Sequence, residues 1–170
     1  MTGLIPLGGM KFSEELALAA LSADGAPIGA EVDVLQALAG DRVNLFYLAV
    51  ARSVGRTRVC LCVAADRIKL IERLAVEATG GLWTCRSVNS VGLLTIFPHG
   101  SRLDALTRSL RVFAESRLPV FGVASTLSAL TFVTAFEELE RASERLREVF
   151  MLRENHAPFK PEFRVEPVTR

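Results

Sequence analysis

Apolar and polar positions along the chain fall into two successive arrays with the same order of elements. In the second and clearer array, Val91-Gly92-Leu93-Leu94-Thr95-Ile96-Phe97 is an apolar run ended by Pro98-His99-Gly100, the pattern of a strand entering a loop. Ser101 or Asp104 then caps a predicted helix whose apolar positions Leu103, Leu106, Leu110 and Phe113 recur at steps of three and four, and Pro119 stops it. Two further apolar runs, 120–125 and 130–136, are joined by Thr126-Leu127-Ser128-Ala129 as a hairpin, and a strongly charged amphipathic helix follows over 137–150.

The first array repeats this order. It has a strand at 16–22, a loop at 23–29, a helix at 30–39 closed by Gly40-Asp41, strands at 43–51 and 57–65 around the turn Ser53-Val54-Gly55-Arg56, and a helix at 67–79. A fourth strand is expected at 82–88. Ser13-Glu14-Glu15-Leu16-Ala17-Leu18-Ala19-Ala20-Leu21 is rich in helix formers, but the repeat requires a strand before Asp24-Gly25, so the repeat overrides local propensity. The most similar words are Val43-Asn44-Leu45-Phe46-Tyr47-Leu48-Ala49-Val50 and Leu118-Pro119-Val120-Phe121-Gly122-Val123-Ala124-Ser125. Their offset exceeds that of solenoid repeats and suits a small split βαβ unit. Pro158, Pro161 and Pro167 exclude a helix from the tail, where residues 162–165 are expected as an edge strand.

The predicted strands are apolar on both faces, as in Leu45, Tyr47 and Ala49 against Phe46, Leu48 and Val50, or Val59, Leu61 and Val63 against Cys60, Cys62 and Ala64. A half-solvated antiparallel sheet alternates instead. The helix-free face is therefore expected to be covered, by the other repeat or by a second chain in a homodimer.

Composition narrows the chemistry. The 170 residues are 50% hydrophobic, enough for a real core, and 20 Lys+Arg against 19 Asp+Glu give a net charge of +1 with no dense basic run. Nucleic acid is not expected as a partner. No charged start or cleavage site marks a signal peptide, and Arg52, Arg56, Arg58 and Asp66 bound the apolar runs well below membrane-spanning length, so a soluble cytoplasmic protein without membrane contact is expected. Cys60 and Cys62 share one strand face and, with Cys85, read as small buried hydrophobes; no metal site or cofactor is expected. His99 and His156 are too isolated for a nucleophilic triad, and no nucleotide loop occurs, so no enzymatic activity is expected.

Order and words together resemble tandem ACT domains, the ferredoxin-like regulatory modules of amino-acid metabolism, and most of all the pair at the C-terminus of aspartokinases. The matching words are Asp24-Gly25-Ala26-Pro27-Ile28-Gly29, Leu35-Gln36-Ala37-Leu38-Ala39-Gly40 and Val43-Asn44-Leu45 in the first copy. In the second they are Pro98-His99-Gly100-Ser101-Arg102, Leu110-Arg111-Val112-Phe113-Ala114-Glu115 and Leu118-Pro119-Val120. The resemblance spans roughly residues 16–150. It implies an α+β fold of two ferredoxin-like βαββαβ units, at 12–89 and 90–170, with antiparallel sheets carrying helices on one face.

It also implies a freestanding sensor that binds a free amino acid between the first loop of one unit and the following strand of a neighbour, and passes the event to a partner enzyme or regulator. Carried across, the first site is Asp24, Gly25, Pro27, Ile28 and Gly29 with Asn44 and Leu45. The second is His99, Gly100, Ser101 and Arg102 with Ser125 and Thr126. Phe46 and Phe121 stand where the family often has an acidic residue, and Val50-Ala51 where it has Gln-Asn, so a small or apolar amino acid is favoured over lysine. The alternative is a structural dimerisation module with degenerate ACT sites.

Overall fold

The computed structural model describes residues 3–77, 80–98 and 102–152. The chain divides into two compact units, one of Glu15–Gly92 with Ala135–Glu137, the other of Met1–Glu14, Leu93–Thr134 and Glu138–Arg170. Its elements are β1 (Ile5–Leu7), β2 (Gly9–Phe12), β3 (Leu16–Asp24), α1 (Ala30–Gly40), β4 (Tyr47–Ser53), β5 (Arg56–Ala64), α2 (Ile68–Glu77), β6 (Thr84–Phe97), α3 (Leu103–Glu115), β7 (Gly122–Ser125), β8 (Leu130–Ala135), α4 (Leu139–Leu146) and β9 (Phe150–Leu152).

The unit of residues 15–92 is a complete βαββαβ sandwich. Its antiparallel strands run β4-β5-β3-β6, the order in which two interleaved βαβ halves pair. The contested segment Leu16–Asp24 is the central strand, paired on both sides. There its alternation decides the matter: Ala17, Ala19, Leu21 and Ala23 lie in the core with Val34 and Leu38 of α1, Ile71 and Ala75 of α2, and Val59, Leu61 and Val63 of β5. Burial of that face outweighs the helix propensity of Leu and Ala.

In the second unit β2, β6, β8 and β7 form the sheet, with α3 and α4 in the same unit. The place beside β6 is taken by β2 from the N-terminus, antiparallel from Gly9↔Phe97 to Phe12↔Leu94. After α4 the chain enters β9, which pairs in parallel with β1. Met10, Phe12, Leu94, Ile96, Phe113, Phe132, Leu139, Leu146 and Phe150 are buried. The Phe113 and Phe132 rings stack with centroids 5.0 Å apart. The edge strand expected at 162–165 lies outside the described residues.

Several boundaries move for physical reasons. The strands expected at 82–88 and 91–97 are one, β6, with Ser90 at φ 55° and a register shift between Leu16↔Val91 and Leu18↔Val88. Three residue steps on β6 oppose two on β3, so a bulge, not a chain break, interrupts the apolar pattern. The strand expected at 43–51 begins only at Tyr47, because α1 ends in a Schellman turn that uses the preceding residues. Gly40 is still helical. The left-handed residue is Arg42, φ 52°, with Arg42 N–H donating to Ala39 O and Val43 N–H to Leu38 O, each at 3.0 Å. Likewise Arg117, φ 54°, ends α3 before Pro119 is reached, with Leu118 N–H donating to Phe113 O at 2.9 Å.

The N-cap of α3 is Arg102, not Ser101 or Asp104, and its buried stripe is Ala105, Ser109, Val112 and Phe113. Of the expected stripe Phe113 is buried, whereas Leu103 and Leu110 are exposed and Leu106 half-buried, so the core face is rotated from the expected one over the first turns. The final helix ends at Leu146, and Phe150 opens β9.

The apolar strand faces resolve in the same way. Val59, Leu61 and Val63 pack beneath the helices, while on the helix-free face Leu16 and the row Tyr47, Cys62 and Leu18 are buried. Further along, Ala49, Cys60 and Ala20 are half-buried, and Ala51 and Arg58 are exposed. The expectation of a wholly covered apolar face therefore holds for one end only, because β5 places Arg56 and Arg58 on the face of Cys60 and Cys62.

Candidate functional site

The second set of site residues converges. Arg102, Leu103 and Leu106 at the start of α3 share a concavity of about 390 Å³ with Ser125, Thr126, Leu127 and Leu130 of the β7–β8 hairpin. The hairpin is closed by Thr126, whose backbone N–H donates to Ala129 O at 2.8 Å and whose hydroxyl accepts from Ala129 N–H at 3.0 Å. Arg102 donates through Nε and Nη2 to the two Asp104 oxygens at 3.0 and 2.7 Å. That contact holds the Asp104 carboxyl below its ordinary range and raises the Arg102 guanidinium. The start of α3 lies beside this ion pair, with Ala105 N–H donating to Arg102 O at 3.1 Å and the N–H groups of Leu103 and Asp104 ahead of the first helical bond. Leu103 at 73% exposure and Leu127 at 86% form an apolar wall next to a polar end. His99, Gly100 and Ser101 lie outside the described residues.

The first set is split. Asp24 ends β3, Gly25 and Gly29 take φ +69° and +94°, and Ile28 is 94% exposed. Ala30 N–H donates to Pro27 O at 3.2 Å and Val32 N–H to Gly29 O at 2.8 Å, so the loop residues Pro27 and Gly29 shape the entry into α1. Asp24 is engaged by Arg56, which donates from Nε to Oδ1 and from Nη2 to Oδ2. Asn44 and Leu45, both exposed, precede β4 at the opposite end of the sheet: Tyr47 aligns with Cys62 and Leu18, six residues before Asp24 on β3. At about 3.3 Å per residue the two halves stand some 20 Å apart within this unit.

Neither set contains Arg58 or Arg86, which flank a second concavity of about 500 Å³ on the helix-free face, lined also by Ala20, Ser22, Asp24, Arg56, Cys60 and Thr84. The signal was present in sequence as alternate positions 56, 58 and 60 of one strand and 84 and 86 of another, but only the register joins them. Cys60, Cys62 and Cys85 are free, and burial pushes the Cys62 thiol up to about 12 and Cys85 to about 11.

No protein-family model matches the chain, and no curated protein sequence does. Solved structures match over most of its length. The regulatory subunit of aspartate kinase from Thermus flavus superposes with a TM-score of 0.76 at 13% identity, covering 85% of this chain and 99% of that one. The corresponding ligand-free subunit from Thermus thermophilus gives 0.75 at 13% identity over 85% and 99%. A C-terminal regulatory domain of aspartate kinase from Porphyromonas gingivalis gives 0.59 at 8% identity over 83% and 96%.

The fold is similar to that of these aspartate kinase regulatory subunits and domains. It comprises two ferredoxin-like units of the α+β class, and the neighbours matched over nearly their whole length are regulatory subunits and domains rather than catalytic ones. Among the described residues no helix is long and apolar enough to cross a membrane.

Proposed function

We propose that this chain is a regulatory module that binds a small or apolar free amino acid at the ACT-type site of Arg102, Ser125 and Thr126, and that binding alters a homodimer and through it a metabolic enzyme or regulator. The observation that carries the reading is the convergence of Arg102 and the α3 N-terminus with the β7–β8 hairpin around one concavity, in a fold shared with aspartate kinase regulatory subunits. An α-amino acid presents a carboxylate and an ammonium on one carbon. The helix N-terminus and the Arg102 guanidinium suit the carboxylate, the Ser125 hydroxyl and hairpin carbonyls suit the ammonium, and Leu103, Leu106 and Leu127 suit an apolar side chain. In the first unit the loop Asp24, Gly25, Pro27, Ile28 and Gly29 lies far from its own Asn44 and Leu45, so that site requires the strand of a neighbour, as ACT pairing supplies.

The exposed Leu103 and Leu127 favour a second reading, in which the same wall is a dimer contact with no ligand. Calorimetric titration of the full chain with the common amino acids separates the two. The sensor reading expects saturable binding of a small or apolar amino acid, weakened about tenfold or more by Arg102→Ala, with a shift in mass or shape by light scattering. If no amino acid binds and a stable dimer persists regardless, the structural reading stands instead.

A further inference from the structure

On the helix-free face of residues 15–92, the central strand β3 presents only small side chains, Ala20 and Ser22, between two strands that carry arginines. The register sets Arg58 of β5 opposite Ser22, and Arg86 of β6 opposite Ala20. The two arginines thus stand at diagonal corners, two strands and two residues apart, a backbone separation of about 12 Å. Cys60 and Thr84 occupy the other corners. With long side chains at the corners and small ones at the centre, the patch is concave, about 500 Å³.

One end of the concavity is closed by Asp24 and Arg56, which neutralise each other. The other end meets the buried row Tyr47, Cys62 and Leu18. Between these ends Arg58 and Arg86 have no carboxylate partner among the described residues. On the floor the Ser22 and Thr84 hydroxyls bond to one another at 2.9 Å, with Thr84 Oγ1 also donating to Ser22 O at 3.1 Å, so they line the groove with polar oxygens. Asp24, bonded to Arg56, also feels the charge of Arg58, and three arginines against this one carboxylate leave the lining of the concavity net positive. The polar strip is two residues deep and closed at both ends, too short for a phosphate backbone to track but of the size that encloses a metabolite.

We propose that this groove binds a small polyanion, a molecule carrying two or more carboxylate or phosphate groups, with one acidic group on Arg58, another on Arg86, and the Ser22 and Thr84 hydroxyls between them. Arginine suits both chemistries because its planar fork donates two parallel hydrogen bonds to either oxyanion. The groove shares Asp24 with the first-unit loop but contains none of Arg102, Ser125 and Thr126, so the Arg102→Ala substitution leaves it intact.

The full chain is titrated calorimetrically at low ionic strength with pyrophosphate and, separately, with citrate, and Cys60 alkylation by iodoacetamide is followed by mass spectrometry. Saturable binding of either probe is expected, with Cys60 protected while Cys85, on the opposite face, reacts at an unchanged rate. Pyrophosphate alone binding assigns phosphate chemistry; citrate alone assigns a polycarboxylate. Arg58→Ala and Arg86→Ala should each weaken binding about tenfold or more, and Arg58→Lys, which keeps charge but loses the fork, by less. Both arginines are exposed on the sheet surface, and unchanged Trp83 emission confirms that each variant is folded. Absence of saturable binding by both probes, or an equal loss from Arg73→Ala on α2, would reduce the groove to diffuse charge attraction and overturn the proposal.

Discussion

The Asp24 carboxyl is held below its ordinary value of 3.8 first by the hydrogen bonds it accepts from Arg56, then by the nearby charges of Arg56 and Arg58. Because the folded value is the lower one, the contact supports the fold above the ordinary carboxylate range, and that support is lost as pH falls through the folded value. An NMR titration should find the Asp24 midpoint below 3.8, and Arg56→Ala should return it toward 3.8; a midpoint unmoved by that substitution would remove Arg56 as the cause. The thiols offer a second test at this scale. With Cys62 raised to about 12 and Cys85 to about 11 by burial, neither forms much thiolate at pH 8, so limited alkylation there should modify Cys60 first. Modification of Cys62 at a comparable rate would mean that its strand row is open to solvent. These residues also show what was legible one position at a time. The reading of Cys60 and Cys62 as small hydrophobes followed from their β-branched neighbours, whereas the partner of Asp24 lies on β5, beyond α1 and β4, and no local pattern announces it.

Elements were most legible where two independent signals agreed. Leu16–Asp24 carries helix propensity, yet the repeat placed a strand there, and the core alternation of Ala17, Ala19, Leu21 and Ala23 shows why the repeat was the better guide. Helix ends were less legible, because the expected signals, Gly40 and Pro119, stand close to the true terminator without being it. Both repeats end their first helix on an arginine in left-handed conformation, Arg42 and Arg117, a duplicated Schellman turn built on a residue type that pattern rules do not select. An L-residue there costs about 1–2 kcal/mol, partly offset by the greater unfolded-state freedom of glycine. Arg42→Gly and Arg117→Gly are each expected to stabilise the protein by about 0.5–1 kcal/mol in chemical denaturation. A loss of stability in both would show that the arginine side chains contribute more than the backbone strain costs. The rotated stripe of α3 has a related cause. Ala105 and Ser109 are small enough to lie against the core, with the Ser109 hydroxyl donating to Ala105 O at 2.8 Å, so the larger Leu103 and Leu106 turn toward the hairpin. Arg102, Ser125 and Thr126 were named from the family resemblance, and the start of α3 and the β7–β8 hairpin bring them to one concavity. Arg58 and Arg86 were not, since they sit on strands that only the β3 register brings together.

At the scale of the whole molecule, the N-terminal segment carries the largest consequence that the repeat pattern did not foretell. Residues 5–12 lie before the first array, yet Ile5, Leu7, Met10 and Phe12 are all buried, and β2 fills the strand position beside β6 in the second unit. Burying four such side chains contributes about 6–12 kcal/mol, comparable with the roughly 5–15 kcal/mol that stabilises a typical domain. Deleting residues 1–12 should therefore unfold the unit built on residues 93–152 while sparing the complete βαββαβ unit of residues 15–92. Trp83, 2% exposed and the chain's single tryptophan, reports on the latter alone. In the truncated protein its emission should stay blue-shifted and melt cooperatively, while far-UV circular dichroism loses the contribution of α3 and α4. If tryptophan emission instead shifts to the solvent-exposed value in buffer, residues 15–92 need the second unit in order to fold. The duplication would then mark one cooperative structure rather than two units, each with its own core.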